Sequence, residues 1–174
     1  MSISLNLNKI YNEIPKDVLL VAVSKTKPIS DITIAYNSGQ LHFGENKIQE
    51  LTTKENKLPK NIKWHMIGHL QRNKVKYIAS FIYMIQSVDS LKLLKEINKQ
   101  AIKNKRNINV LIQVDISEDS TKFGFSFKEI NQLLLIEKFK EFQNVSIKGL
   151  MGMASFTNNE KLIRKEFNNL NDLY

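Results

Sequence analysis

The sequence predicts an α/β fold of the eight-stranded (β/α)8 barrel type, with about six βα units in its 174 residues. Three observations carry this. Six short apolar stretches alternate with helical patterns, which implies parallel strand pairing. The first and fifth stretches, VLLVAV and VLIQV, are near-continuous apolar runs, as strands covered on both faces are. Each unit averages about 29 residues, so eight units would need about 232, a length typical of such barrels.

The strands are expected at Val18–Val23, Leu41–Phe43, Ile62–Ile67, Phe81–Gln86, Val110–Asp115 and Ser146–Met151. Between them, Pro28 is tolerated in a first helical turn, so Ile29–Asn37 can run helical and stop at Ser38 and Gly39. Ser90 can cap a helix in which Leu91, Leu94 and Ala101 recur near helical spacing, and its Lys-rich last turn suits the helix dipole. Ser126 and Glu129 form an S-x-x-E capping box ahead of Ile130, Leu133 and Leu134. Ile163, Phe167, Leu170 and Tyr174 fall on one stripe of a final helix, with no Gly, Asn or Pro after it to stop it. No repeat, linker or low-complexity tract divides the chain, so residues 1–174 read as a single domain from which the last two βα units are missing.

Composition narrows the function. Lys and Arg number 26 against 17 Asp and Glu, a net charge of +9, yet only Arg72, Arg106 and Arg164 offer the planar fork used for bidentate base contacts. The excess lysine is spread along the chain as solvated surface, and no nucleic-acid partner is expected. The longest apolar run, Val18–Val23, is far short of a membrane span. There is no secretory signal pattern, and the absence of cysteine excludes disulfides and thiolate chemistry, so cytoplasmic residence is expected.

Lys25 directly follows the first strand and would stand at its carboxyl end, where barrels build their sites. Held against apolar walls with Lys27 nearby, its amine could be freed for Schiff-base formation; alternatively it ends the strand by reaching water. Gly44, Glu45 and Asn46 follow the second strand, where the amide of Asn46 could orient a ligand or cap a helix. His65 and His69 are four apart, but Gly68 and the strand pattern before it argue against a helix carrying two metal ligands, and no metal is expected. Lys122 and Gly124 could form an anion-binding turn or merely a loop, and Met151 and Met153 could line a pocket for a flat ring or fill the core.

In order and spacing, AVSKTKP, HFGENKIQE, WHMIGHLQRNK, QSVDS, STKFG and KGLMGM resemble the pyridoxal phosphate homeostasis proteins, single-domain relatives of the alanine racemase barrel. The resemblance implies pyridoxal 5'-phosphate bound as an internal aldimine to Lys25, with Asn46 and Met151 beside the cofactor ring. It implies a monomeric protein without turnover of its own, which buffers the cofactor in the cell or delivers it to apo-enzymes. The alternative is an amino-acid racemase-like enzyme on the same fold, which would need a second acid/base group across the ring. The family's phosphate-holding segments, of the S-M-G-M-S type and a Gly-Ser/Thr turn before V-R-I-G, would follow residue 174, so the chain reads as C-terminally truncated.

Overall fold

The structure, a computed structural model, describes residues 2–117 and 123–174. Helix α1 (Ile3–Glu13) precedes strand β1 (Ala22–Val23), helix α2 (Ile29–Asn37), β2 (His42–Glu45), α3 (Ile48–Lys57) and β3 (Lys63–Met66). Then come β4 (Met84–Val88), α4 (Leu91–Lys103), β5 (Ile108–Val114), α5 (Phe127–Leu135), β6 (Val145–Gly152) and α6 (Glu160–Leu173). The β3–β4 crossover holds a 3-10 turn, Arg72–Tyr77, in place of an α-helix. No described helix is long and apolar enough to cross a membrane.

All strand pairs are parallel, and the sheet order β1-β2-β3-β4-β5-β6 repeats the order in the chain. A doubly wound sheet would reverse its order part-way; an unbroken sequential order is that of a (β/α)8 barrel. The register sets Phe43 beside Trp64, and Met66 beside Ile85, which in turn meets Val110. These residues are buried in one core with Leu51 of α3, with Leu94, Ile97 and Ala101 of α4, and with Ile130 of α5. Because side chains alternate along a strand, His42, Gly44 and His65 take the opposite face, which is the interior face of a barrel.

Two helix starts match their sequence signals. The Ser90 hydroxyl accepts the Leu93 amide, and Ser126 with Glu129 closes a full capping box. The first strand differs from expectation, because only Ala22 and Val23 pair, while Val18, Leu19 and Val23 are exposed. The physical reason lies in Gln40, whose buried side-chain amide donates to the Leu20 carbonyl at 3.0 Å and also to the His42 carbonyl. Tyr11 of α1 donates in turn to the amide oxygen of Gln40. A side chain thus bridges β1 and β2 where ladder bonds would otherwise form, and β1 is an edge strand with β2 as its partner.

Candidate functional site

β1 is continued by one backbone bond beyond Val23, from the Ser24 amide to the Gly44 carbonyl at 2.9 Å. Ser24 turns its hydroxyl toward the helices, donating to Glu45 Oε1 at 2.6 Å. Lys25 follows in the turn at the end of the strand, where alternation carried on from Val23 would bring its side chain to the interior face. The expected apolar walls around Lys25 are not there: it is exposed, because the edge strand that carries it leaves even Val23 about half open. Among the described residues its amine has no ion pair and no hydrogen bond.

The chain leaves Lys25 through Thr26, which is left-handed at φ 64°. For a β-branched residue this conformation costs about 1–3 kcal/mol, so surrounding contacts must hold it. One does: the Thr26 amide donates to Glu50 Oε1 at 2.7 Å.

Gly44 and Glu45 lie within β2 rather than after it, and Asn46 is the first residue beyond. Lys47, not Asn46, stands at the cap position of α3. Asn46 is half-buried, and its amide makes no hydrogen bond to a described residue. Gly68, past β3, abuts it: a Cβ there would lie 2.6 Å from the Asn46 carbonyl oxygen and 2.7 Å from its Cα.

The same carboxyl-end rim continues along the sheet. His69 Nδ1 lies 2.8 Å from Asp89 Oδ2, and its ring stacks on Phe123 at 4.0 Å between centroids. His65 faces His42 instead, so the two histidines spaced four apart serve different partners. Met151 is half-buried in β6 opposite Gln113, and Met153 is exposed. Lys25 and Asn46 are therefore brought together on neighbouring strand ends, while Met151 stands on the strand at the other edge of the sheet. Lys122 lies outside the described residues. Gly124 is required by close approach to β5, since a Cβ there would lie 2.7 Å from the Asp115 amide nitrogen. A cleft of about 710 Å³, lined by His69, Arg72, Asp89, Ser90 and Lys92, adjoins the rim but includes none of the three candidates.

The sequence reading missed a buried ionic network under the Lys25 turn. Lys54 Nζ, nearly inaccessible on α3, donates to Glu45 Oε1 at 2.7 Å, Glu50 Oε1 at 3.0 Å and the Ser24 carbonyl at 2.8 Å. Three acceptors saturate an ammonium, which is what burying one requires. The Lys54 hydrogen bond, helped by the Thr26 amide, holds the Glu50 carboxyl below the usual glutamate range. The i,i+4 spacing of Glu50 and Lys54 was visible in the sequence, but nothing there pointed to Glu45 as their partner.

Comparison with known proteins decides the ancestry. Residues 2–174 match the alanine racemase N-terminal domain family. The chain belongs to that family. Within it, the chain is 37% identical over 172 residues to the pyridoxal phosphate homeostasis protein of Haemophilus influenzae, covering 91% of this chain and 72% of the relative. The namesake in Schizosaccharomyces pombe is 37% identical over 147 residues, covering 83% and 61%. The chain thus spans 61% to 72% of the length of these two family members. The solved structure of PipY from Synechococcus elongatus without PLP superposes with a TM-score of 0.93 at 30% identity, covering 99% of this chain and 80% of PipY. The form of PipY with PLP bound superposes at 0.89 with 29% identity and the same coverage.

Proposed function

We propose that this chain binds pyridoxal 5'-phosphate reversibly at Lys25 and acts as a cytoplasmic carrier, buffering the cofactor or delivering it to apo-enzymes, without turnover of its own. The observation that carries the reading is the amine of Lys25: exposed in the turn at the carboxyl end of β1, with no partner among the described residues. The residues fit the group. Asn46 on the neighbouring strand end has an amide without a partner among the described residues, and Gly68 brings the next backbone against it without a side chain in the way. The PLP-bound form of the similar PipY supports the choice of cofactor. Residues 1–174 are taken as one barrel-type domain.

When bound, the cofactor supplies an aldehyde carbon activated by its ring. Lys25, in its neutral form, would hold the group through a bond from Nζ to that carbon, both amine protons leaving with the aldehyde oxygen as water. Hydrolysis would reverse this, so capture and release would need only water. Asn46 would both donate to and accept from a polar substituent of the ring; Met151, on the strand at the other edge of the sheet, would supply a polarizable wall if it reaches the group.

Mixing the protein with pyridoxal phosphate should produce a visible absorbance band, and borohydride should fix the adduct at Lys25 by peptide mapping. Label scattered over surface lysines, or unchanged in Lys25→Ala, refutes the assignment. Solvent-exchange NMR on amino acids tests the absence of turnover. Cofactor-dependent loss of the α-proton well above the rate with free pyridoxal phosphate would make the racemase-like reading the better one.

A further inference from the structure

Lys25 is flanked by two residues that are each tied down, and both ties lead to the same place. Ser24 donates its hydroxyl to Glu45 and accepts the Lys54 ammonium at its carbonyl, while Thr26 donates its amide to Glu50. Lys54 joins the two carboxylates. The turn therefore has one contact network under both of its shoulders, contributed by β2 and α3, and Lys25 itself takes no part in it. Glu45 is wholly buried and Lys54 nearly so, and such an arrangement costs desolvation that an apolar pair would avoid. Thr26 is meanwhile held in a left-handed conformation that a threonine leaves when free to do so.

We propose that Glu45, Glu50 and Lys54 are positioning residues that clamp the Lys25 turn and fix the direction in which its amine is presented. The inference rests on the assignment of Lys25 made above. Without the clamp, Thr26 relaxes toward extended backbone and the Lys25 side chain loses its set direction. Its amine then reacts with aldehydes as any surface lysine does.

Glu45→Gln and Lys54→Met disturb a buried pair and endanger folding, so Glu50, which keeps some solvent contact, is the position to vary. The experiment compares wild type, Glu50→Ala and Glu50→Gln; glutamine keeps an acceptor for the Thr26 amide and loses the charge. Two quantities are read: amide exchange at Thr26 without cofactor, and the yield of borohydride-fixed pyridoxal phosphate at Lys25 relative to surface lysines. A urea midpoint near that of wild type shows that the fold persists. The clamp predicts a protected Thr26 amide in wild type, and in Glu50→Ala roughly tenfold faster exchange with a comparable loss of relative Lys25 labelling. Glu50→Gln should recover most of both. Wild-type labelling of Lys25 in Glu50→Ala overturns the inference; if that variant does not fold, loss of Lys25 labelling in a folded Glu50→Gln, which keeps the acceptor for the Thr26 amide, overturns it instead. Absence of Lys25 labelling in wild type refutes the cofactor assignment instead. In that case the exchange alone decides whether the clamp exists: an unprotected Thr26 amide overturns it, and protection lost on substitution supports it.

Discussion

His65 Nε2 lies 2.9 Å from His42 Nδ1 on the neighbouring strand, on the interior face of the sheet. Gln86 of β4 approaches the other ring nitrogen, His65 Nδ1, at 2.8 Å, and the Tyr83 ring packs against both imidazoles. One proton serves each of these contacts. Protonating both histidines would set N–H against N–H, and protonating even one places a cation among buried groups. Burial accordingly lowers His65 to about 4, with His42 adding to the effect, and His42 is itself lowered by burial and by Lys63.

The pH dependence of stability follows. The folded pKa of His65 lies below the unfolded value, so between about pH 6.5 and 4 the unfolded chain binds the proton that the folded chain refuses. The contribution is intact above pH 6.5, declines as the pH falls, and is exhausted below 4, amounting to about 3 kcal/mol at most. Urea titrations at neutral pH and near pH 4.5 should show wild type losing more stability on acidification than His65→Gln does. Equal losses would contradict the assignment.

Gly68→Ala should destabilise by about 1–3 kcal/mol, because the new methyl meets backbone atoms of Asn46 that have nowhere to go. It should also weaken pyridoxal phosphate binding, since the displaced residue carries the amide proposed to meet the cofactor ring. Gly152→Ala is the control: there the nearest atoms are side-chain ends, Ile116 Cδ1 at 2.7 Å and Leu170 Cδ2 at 2.8 Å, which can shift. Urea midpoints and a cofactor titration of both variants check the contrast.

Arg106→Ala should cost about 2 kcal/mol or more. The guanidinium donates to the carbonyls of Ala79 and Ile82, both at 2.8 Å and both in fully buried residues ahead of β4. Truncation strands two acceptors, and Arg106→Lys, lacking the planar fork, should recover only part of the loss. Chemical denaturation of the three proteins measures it.

Ser126→Ala should cost about 1 kcal/mol, because the hydroxyl accepts the Glu129 amide while the Glu129 carboxylate accepts the Ser126 amide. The Glu129 carboxyl, held low by those bonds with the Ser126 backbone and hydroxyl, makes the cap an acid-sensitive one. Thermal melts of the variant and wild type at neutral pH should differ by that amount.

What could be read from the sequence was local. The α5 cap is written in Ser126 and Glu129, and α2 spans Ile29–Asn37 as Pro28 and Gly39 suggest, because those signals act within one helical turn. The βα alternation likewise needs only short windows. β1 was misjudged because its fate depends on Gln40, about twenty residues away, whose polar side chain gives no hint that it will take a backbone carbonyl. Lys25 is marked by its place after the first apolar run together with the AVSK resemblance, while its exposure follows from the edge position of β1. The Glu45–Lys54 contact needed the three-dimensional meeting of a strand with the helix after it. Asn46 and Met151 were legible as strand-end residues, whereas their separation along the sheet required the strand order.

That strand order also bears on how the protein reaches its native state. Since each strand pairs with the one that follows it in the chain, no ladder requires the closure of a loop longer than a single crossover. The sheet has low contact order for a β-containing fold, and its pairings can be made in the order of synthesis, β1 with β2 first. The pair that carries Lys25 and Asn46 is then the earliest that can form. A ribosome-tethered chain ending after α3 already contains Ser24, Glu45, Glu50 and Lys54, so the turn presenting Lys25 can be organised before the second half of the sheet has been translated.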